Sequence, residues 1–284
     1  MKKNSTIIRK ALFAAAFCPF ASFTSSAATL VGLWEFENSS NLAQATVGSA
    51  LTLNGTTSST TGVGGDGAIN VANGVANYIS VSNTISANGA SGVPTRTNQF
   101  TIVLDFLVPD FDDGGADNGQ FTGIFDFDGS NTADADYFIR KQANVPELGV
   151  TTVWNYQGAG ATTGNNGAAG TVLANTWYRL VLTANNGVAG ESSVFLNGTL
   201  IGDHAVGTID AARRSLGSNF RVAWDNTATE NSQIQISNLA LYDGRLTDSE
   251  VVALGVAGAA IPEPASWLLA SLSGLSFALV RRRK

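Results

Sequence analysis

The side chains able to do chemistry fall into two sets. The first is acidic. Asp110, Asp112, Asp113 and Asp117 are followed by Asp126, Asp128, Asp134 and Asp136, interspersed with glycine and asparagine. A hard cation such as calcium takes about six to eight oxygen ligands, so Asp126, Asp128, Asp134 and Asp136 are the candidate calcium ligands. Asp126-Phe127-Asp128-Gly129-Ser130-Asn131 has the look of a calcium loop but lacks the closing glutamate at the right distance, which excludes an EF-hand. The competing reading of the same aspartates is a pair of solvated acidic loops. Glu35 and Glu37 form a second, weaker acidic pair. The other set joins aromatic rings to amide and carboxylate groups, a combination that holds sugars. Trp154, Asn155 and Tyr156 precede the Gly/Ala/Asn-rich loop 157–170, and Trp224 and Asp225 precede Asn226. These five are the candidate ligand-binding residues; the alternative for both tryptophans is packing.

Catalytic constellations are scarce. The chain has one His, His204, and one Cys, Cys18. Multi-cysteine zinc sites, iron–sulfur clusters, a disulfide framework and any two-histidine scheme are therefore excluded. Ser215 follows His204, but no nucleophile-elbow motif frames it. The body holds six glutamates: Glu35, Glu37, Glu147, Glu191, Glu230 and Glu250. No Glu-x-Asp-x-x-Glu strand motif occurs among them. No catalytic residue is assigned.

These residues must be positioned by short strands. Hydrophobic residues make up 44% and charged residues 13% of the 284, too apolar a balance for a disordered chain. Alternating segments separated by Gly/Asn/Asp/Ser/Thr clusters read as strands over 30–37, 51–54, 78–82, 100–108, 123–127 and 137–141. They continue over 148–154, 177–184, 192–196, 220–224 and 234–242. The run 101–107 is apolar at both parities, as in a central strand. Asn197-Gly198 between apolar runs signals a type I′ hairpin, and Thr247-Asp248-Ser249-Glu250 a capping box ahead of a short helix. In the strand opened by Trp177, Arg179, Val181 and Thr183 share its face and Tyr178, Leu180 and Leu182 take the other; Trp177 is expected to plug the core. With no β-α-β alternation, the expected fold is an all-β, two-sheet antiparallel sandwich spanning residues 29–254.

The two ends read differently. Residues 1–28 form a secretory signal: Lys2, Lys3, Arg9 and Lys10, an apolar stretch over 11–23, and Ser26-Ala27-Ala28 as cleavage site. Residues 255–261 read as a linker. Pro262, Glu263 and Pro264 precede an apolar run over 265–280, and Arg281, Arg282, Arg283 and Lys284 end the chain. Sixteen residues of helix span roughly 24 Å, slightly under a bilayer's ~30 Å apolar core. The basic end is expected to stay cytoplasmic. Between 29 and 261 stand eight basic and 21 acidic residues, a formal charge of −13. Such a surface excludes nucleic acid and anionic lipid as partners of the body. Neutral glycans, divalent cations and basic proteins remain compatible with it.

The order Pro262-Glu263-Pro264, apolar segment, arginine-rich end resembles the PEP-CTERM sorting signal. The resemblance implies transient anchoring in the inner membrane and processing by an exosortase-type peptidase. Three blocks resemble laminin-G-like domains of the concanavalin A-like class. They are Leu33-Trp34-Glu35-Phe36-Glu37, the hairpin from Asn175-Thr176-Trp177 to Gly202, and Ile236-Ser237-Asn238 through Leu246-Thr247 to Glu250-Val251. The resemblance implies a jelly roll. The family's closing strand often carries an acidic pair where Ser237 and Asn238 stand, so an ion site there does not carry over. The combined expectation is an exported, non-catalytic cell-surface or matrix protein that binds a glycan or exopolysaccharide. A carbohydrate-active enzyme on the same fold and a purely structural matrix component are the alternatives.

Overall fold

The computed structural model describes residues 28–88, 93–111, 121–127, 136–141, 152–157, 163–165, 172–186, 192–203, 214–225 and 230–262. The strands of the first half are β1 (Leu30–Trp34), β2 (Thr52–Asn54), β3 (Thr57–Thr61), β4 (Gly67–Val71), β5 (Tyr78–Ser82), β6 (Gln99–Leu107), β7 (Phe121–Asp126) and β8 (Tyr137–Lys141). Those of the second half are β9 (Thr152–Gln157), β10 (Thr163–Asn165), β11 (Tyr178–Asn185), β12 (Ser193–Leu196), β13 (Thr199–Asp203), β14 (Asn219–Val222) and β15 (Ile234–Tyr242), before helix α1 (Asp248–Leu254). They build two antiparallel sheets packed as a sandwich. An eight-stranded sheet runs β13-β12-β11-β6-β15-β4-β3, with β1 also on β15, and a seven-stranded sheet runs β10-β9-β8-β7-β14-β5-β2.

Strand alternation explains the core. From β6, Phe100, Ile102, Leu104 and Phe106 enter the inter-sheet layer, where they join Leu180 and Leu182 of β11, Ile236 of β15 and Phe220 and Val222 of β14. The other parity of β6 is buried too, because the outer face of the eight-stranded sheet is covered. Val103, Val181, Phe195, Ala240 and Tyr242 pack there against Ala28, Leu30, Val251 and Leu254. The doubly apolar run at 101–107 follows from these two covers.

Local signals hold where the backbone demands them. Asn197 and Gly198 both take positive φ, 49° and 76°, as a type I′ hairpin requires. Thr247 caps α1 through a reciprocal capping box with Glu250.

Three expectations need correction. Trp177 is half-buried and precedes β11; its neighbour Tyr178 fills the core place, its hydroxyl accepting from the Leu173 amide at 3.1 Å. The parity that enters the core is thus Tyr178-Leu180-Leu182. Residues 255–261, read as a linker, and Pro262 after them are bound to the outer face of the eight-stranded sheet. Gly258 N donates to Asp105 Oδ2 (3.1 Å), Arg179 Nη2 to the Ala259 carbonyl (2.6 Å) and Tyr242 Oη to the Pro262 carbonyl (3.0 Å). Third, β3, β4 and β10 are strands the sequence reading does not include: Ser/Thr-rich Thr57–Thr61 and the glycine-led Gly67–Val71 carry weak patterns, and Thr163–Asn165, inside the stretch 157–170 read as a loop, pairs with β9. Residues 1–27 of the stretch read as a secretory signal, and the apolar run 265–280, lie outside the described residues. Among the described residues no helix is long and apolar enough to cross a membrane.

Candidate functional site

The two outer faces of the sandwich differ. That of the eight-stranded sheet is closed by α1 and residues 255–262. That of the seven-stranded sheet carries polar and aromatic side chains set by strand parity. In β14, Phe220 and Val222 point into the core, so Arg221 points outward. In β5, Ile79 and Val81 point inward, leaving Tyr78, Ser80 and Ser82 on the outer side. The register places Thr52, Ser80, Arg221 and Asp126 in one row across β2, β5, β14 and β7.

Arg221 is the hub of this face. Its guanidinium carbon lies 4.1 Å from the centroid of the Trp224 ring and 5.2 Å from that of Tyr78. The two rings meet edge to face, 6.2 Å apart at 67°. Arg221 Nη1 also stands 3.5 Å from Asp126 Oδ2, and its side chain is 25% exposed against 1% for Asp126. The cluster therefore offers a half-exposed cation backed by aromatic rings and a buried carboxylate.

A turn aims Trp224 at this face. Ala223, just after β14, takes φ +59°, a left-handed conformation costing a non-glycine residue about 1 kcal/mol. Its amide donates to the Ile124 carbonyl at 2.9 Å. The turned chain passes tightly against β7 at Gly123, where a Cβ would lie 2.3 Å from the Trp224 carbonyl oxygen; glycine is required by that approach. The Trp224 indole N–H donates to the Val75 carbonyl at 3.0 Å. Asp225 is buried, and its amide donates to Asn231 Oδ1 at 2.8 Å.

The candidate ligands of the sequence divide accordingly. Trp224 joins the cluster with its ring covered by Arg221, while Asp225 is engaged in the turn behind it. Trp154, Asn155 and Tyr156 lie in β9, at register positions opposite Ile139, Phe138 and Tyr137 of β8. Ile139 and Tyr137 belong to the core. Of the proposed calcium ligands, Asp126 faces a cation, an arrangement that disfavours a second positive charge beside it. Asp136 Oδ2 accepts from the Phe127 amide at 2.8 Å. Asp128 and Asp134 lie outside the described residues. No group of three metal-binding side chains gathers among the described residues. Ser215 is buried and donates to Asn98 Oδ1 at 2.6 Å, while His204 lies outside the described residues. Sequence reasoning missed Arg221 and Tyr78. The signal was present, since both stand at outward parity in expected strands, but their proximity depends on pairing strands 140 residues apart.

No family model and no curated protein matches the chain. Solved structures do match. Domain 4 of AbnA, a GH43 extracellular arabinanase from Geobacillus stearothermophilus in complex with arabinotriose, aligns over 81% of this chain and 99% of its own, with TM-score 0.52 and 18% identity. The binding domain of Paraclostridial Mosquitocidal Protein 1 aligns over 80% of this chain with TM-score 0.53 and 15% identity. The botulinum neurotoxin serotype G binding domain aligns over 79% with TM-score 0.51 and 12% identity. The chain spans about half the length of the latter two structures, 51% and 50%. At these identities the likeness establishes the fold alone: a jelly-roll-like β-sandwich.

Proposed function

We propose that this protein is an exported, non-catalytic surface or matrix protein that binds a glycan on the outer face of its seven-stranded sheet. The observation that carries the reading is the Arg221–Tyr78–Trp224 cluster, set beside the polar row Thr52–Ser80–Arg221–Asp126. Aromatic edges, hydroxyls and a guanidinium side by side are what a sugar's alternating C–H and O–H surfaces engage. Adjacent strands lie about 4.8 Å apart, so four strands offer a track of about three sugar units. The arabinotriose-bound domain among the similar structures supports a neutral oligosaccharide, as does the body's charge of −13, which repels acidic polymers.

The test is an array of neutral and acidic oligosaccharides, with and without calcium, followed by titration calorimetry on what binds. Arg221→Ala and Tyr78→Ala should each weaken binding at least tenfold in protein whose circular dichroism is unchanged. Leu200→Ala, on the other sheet, should not. Binding indifferent to both cluster variants, or none at all, would refute the reading and leave the structural-matrix alternative. Sugar release from the bound glycan would move the protein to the carbohydrate-active enzymes. The Pro262-Glu263-Pro264 motif and basic end support sorting by an exosortase-type peptidase. Mass spectrometry of exported material should then show loss of Arg281–Lys284.

A further inference from the structure

We infer that the exposed edge strand β3 pairs with β3 of a second copy of this chain, joining the two eight-stranded sheets edge to edge. Open sheet edges are ordinarily blunted by charge, proline, bulges or brevity. Three of the four ends of the two strand orders are blunted in this way, and β1, which branches from β15, is bridged on its other side by Leu33 and Val47. At the far end of the same sheet, β13 includes Asp203 and meets β12 across a bulge. In the other sheet, the end strands β2 and β10 have three residues each. By contrast, β3 pairs with β4 through five successive residues without a bulge. No described strand lies on its other side. Its sequence, Thr57-Ser58-Ser59-Thr60-Thr61, contains no charge and no proline.

Charge selects the occupant. Between Glu37 and Arg96 the only charged side chain is Asp66, although the body as a whole carries −13. Two copies approaching by most of their surface repel each other; on this flank the carboxylates gather at one end, where Glu37 accepts from the Gly67 amide opposite Thr61, and a twofold axis at Ser59 sets that end against the uncharged Thr57 end of the second strand. The strand is also self-complementary. A twofold axis at Ser59 sets Ser59 opposite Ser59, Ser58 opposite Thr60 and Thr57 opposite Thr61, and opposed hydroxyl residues are a favourable cross-strand pairing. Ser58, Ser59 and Thr61 are exposed, so substitution there leaves the core untouched. This inference is independent of glycan binding, which uses the other sheet.

The test is sedimentation velocity of the purified full chain in a non-ionic detergent, across a range of concentrations. Ser59→Lys and Ser59→Glu place like charges face to face across the axis. Each should weaken dimerisation at least tenfold, and an equimolar mixture of the two should restore it. Leu200→Lys on β13 should leave it unchanged. Amide exchange over Thr57–Thr61 should slow as the dimer forms. A monomer throughout, an association that both charged variants leave intact, or a mixture that fails to restore pairing would each overturn the inference. The second of these outcomes would point to the tail, and the third to a different partner on this edge.

Discussion

Arg179→Met should be among the most damaging single changes to the domain. Arg179 and Asp105 form a fully buried, two-pronged ion pair, with Nε to Oδ1 and Nη2 to Oδ2 both at 2.7 Å. Both side chains are 0% exposed. The same guanidinium donates to the Leu254 carbonyl at the end of α1 and to the Ala259 carbonyl beyond it, both at 2.6 Å. Asp105 Oδ2 also accepts from Asn238 Nδ2 at 3.0 Å and from Gly258 N at 3.1 Å. Removing the arginine strands a buried carboxylate with only neutral donors and leaves two carbonyls without their charged partner. Breaking a buried pair in this way costs about 3–5 kcal/mol. For a domain of this size that is a fall in Tm of roughly 6–20 °C.

Urea unfolding with an unchanged m-value is the primary assay, because it separates lost stability from lost compactness. Limited proteolysis across 255–262 is the second, since that segment loses its main anchor. The double variant Arg179→Met/Asp105→Leu should recover part of the loss, as well-packed apolar replacements of buried pairs often do. The cycle should therefore show a coupling of about 2 kcal/mol or more. A loss below about 1 kcal/mol in Arg179→Met, with 255–262 still protected, would refute the argument that this pair holds the C-terminal segment on the sheet.

Further expectations concern the corrected core, the turn and the cation. Tyr178→Ala should cost about 3–5 kcal/mol in urea unfolding, as for other large buried aromatics, and Trp177→Ala clearly less; the reverse order would restore the opposite strand parity. Gly198→Ala should cost about 1–2 kcal/mol, because φ is +76° there and a Cβ resists that conformation. Melting in millimolar calcium should coincide with melting in sodium chloride of equal ionic strength if Asp126 serves Arg221 rather than a cation. A calcium-specific rise in Tm abolished by Asp126→Ala would overturn that assignment.

The fold was legible where local chemistry and global packing agree. Tyr78–Ser82, Tyr137–Lys141 and Ile234–Tyr242 match the sequence reading residue for residue, because each alternates cleanly or is bounded by turn residues. The same is true of Asn197-Gly198 and of Thr247 with Glu250, whose geometry is decided within four residues. Strand β3 was not legible, since Thr-Ser-Ser-Thr-Thr has no apolar face and is a strand only because β4 pairs with it. The parity around Trp177 failed for a related reason. Both faces of β11 are buried, one by the opposite sheet and one by α1 and the C-terminal segment. Apolar size alone could not identify the inner face, and Trp177 was the misleading residue: its face also carries Arg179, whose charge is accommodated outside the inter-sheet core by Asp105 and two carbonyls.

The candidate site failed to be legible in a different way. Asp126 was read as a metal ligand and Trp224 as a sugar platform, two unrelated proposals from two distant segments. Both belong to one cluster because β7 and β14 are neighbours and Arg221 lies between them. That residue gives each of them a neighbour the sequence did not show. It places a positive charge 3.5 Å from the Asp126 carboxylate and lies over the Trp224 ring, 4.1 Å from its centroid. What it leaves accessible is its own 25% exposed side chain, the partly exposed Tyr78, and the hydroxyls of Ser80 and Thr52 on adjoining strands. On the proposed reading, recognition on this face rests on hydrogen bonding by a guanidinium packed against two rings and paired with a buried carboxylate. A guanidinium so held loses little freedom on binding a ligand. The strained Ala223 turn and the glycine at 123 are consistent with a backbone shaped to hold Trp224 beneath Arg221.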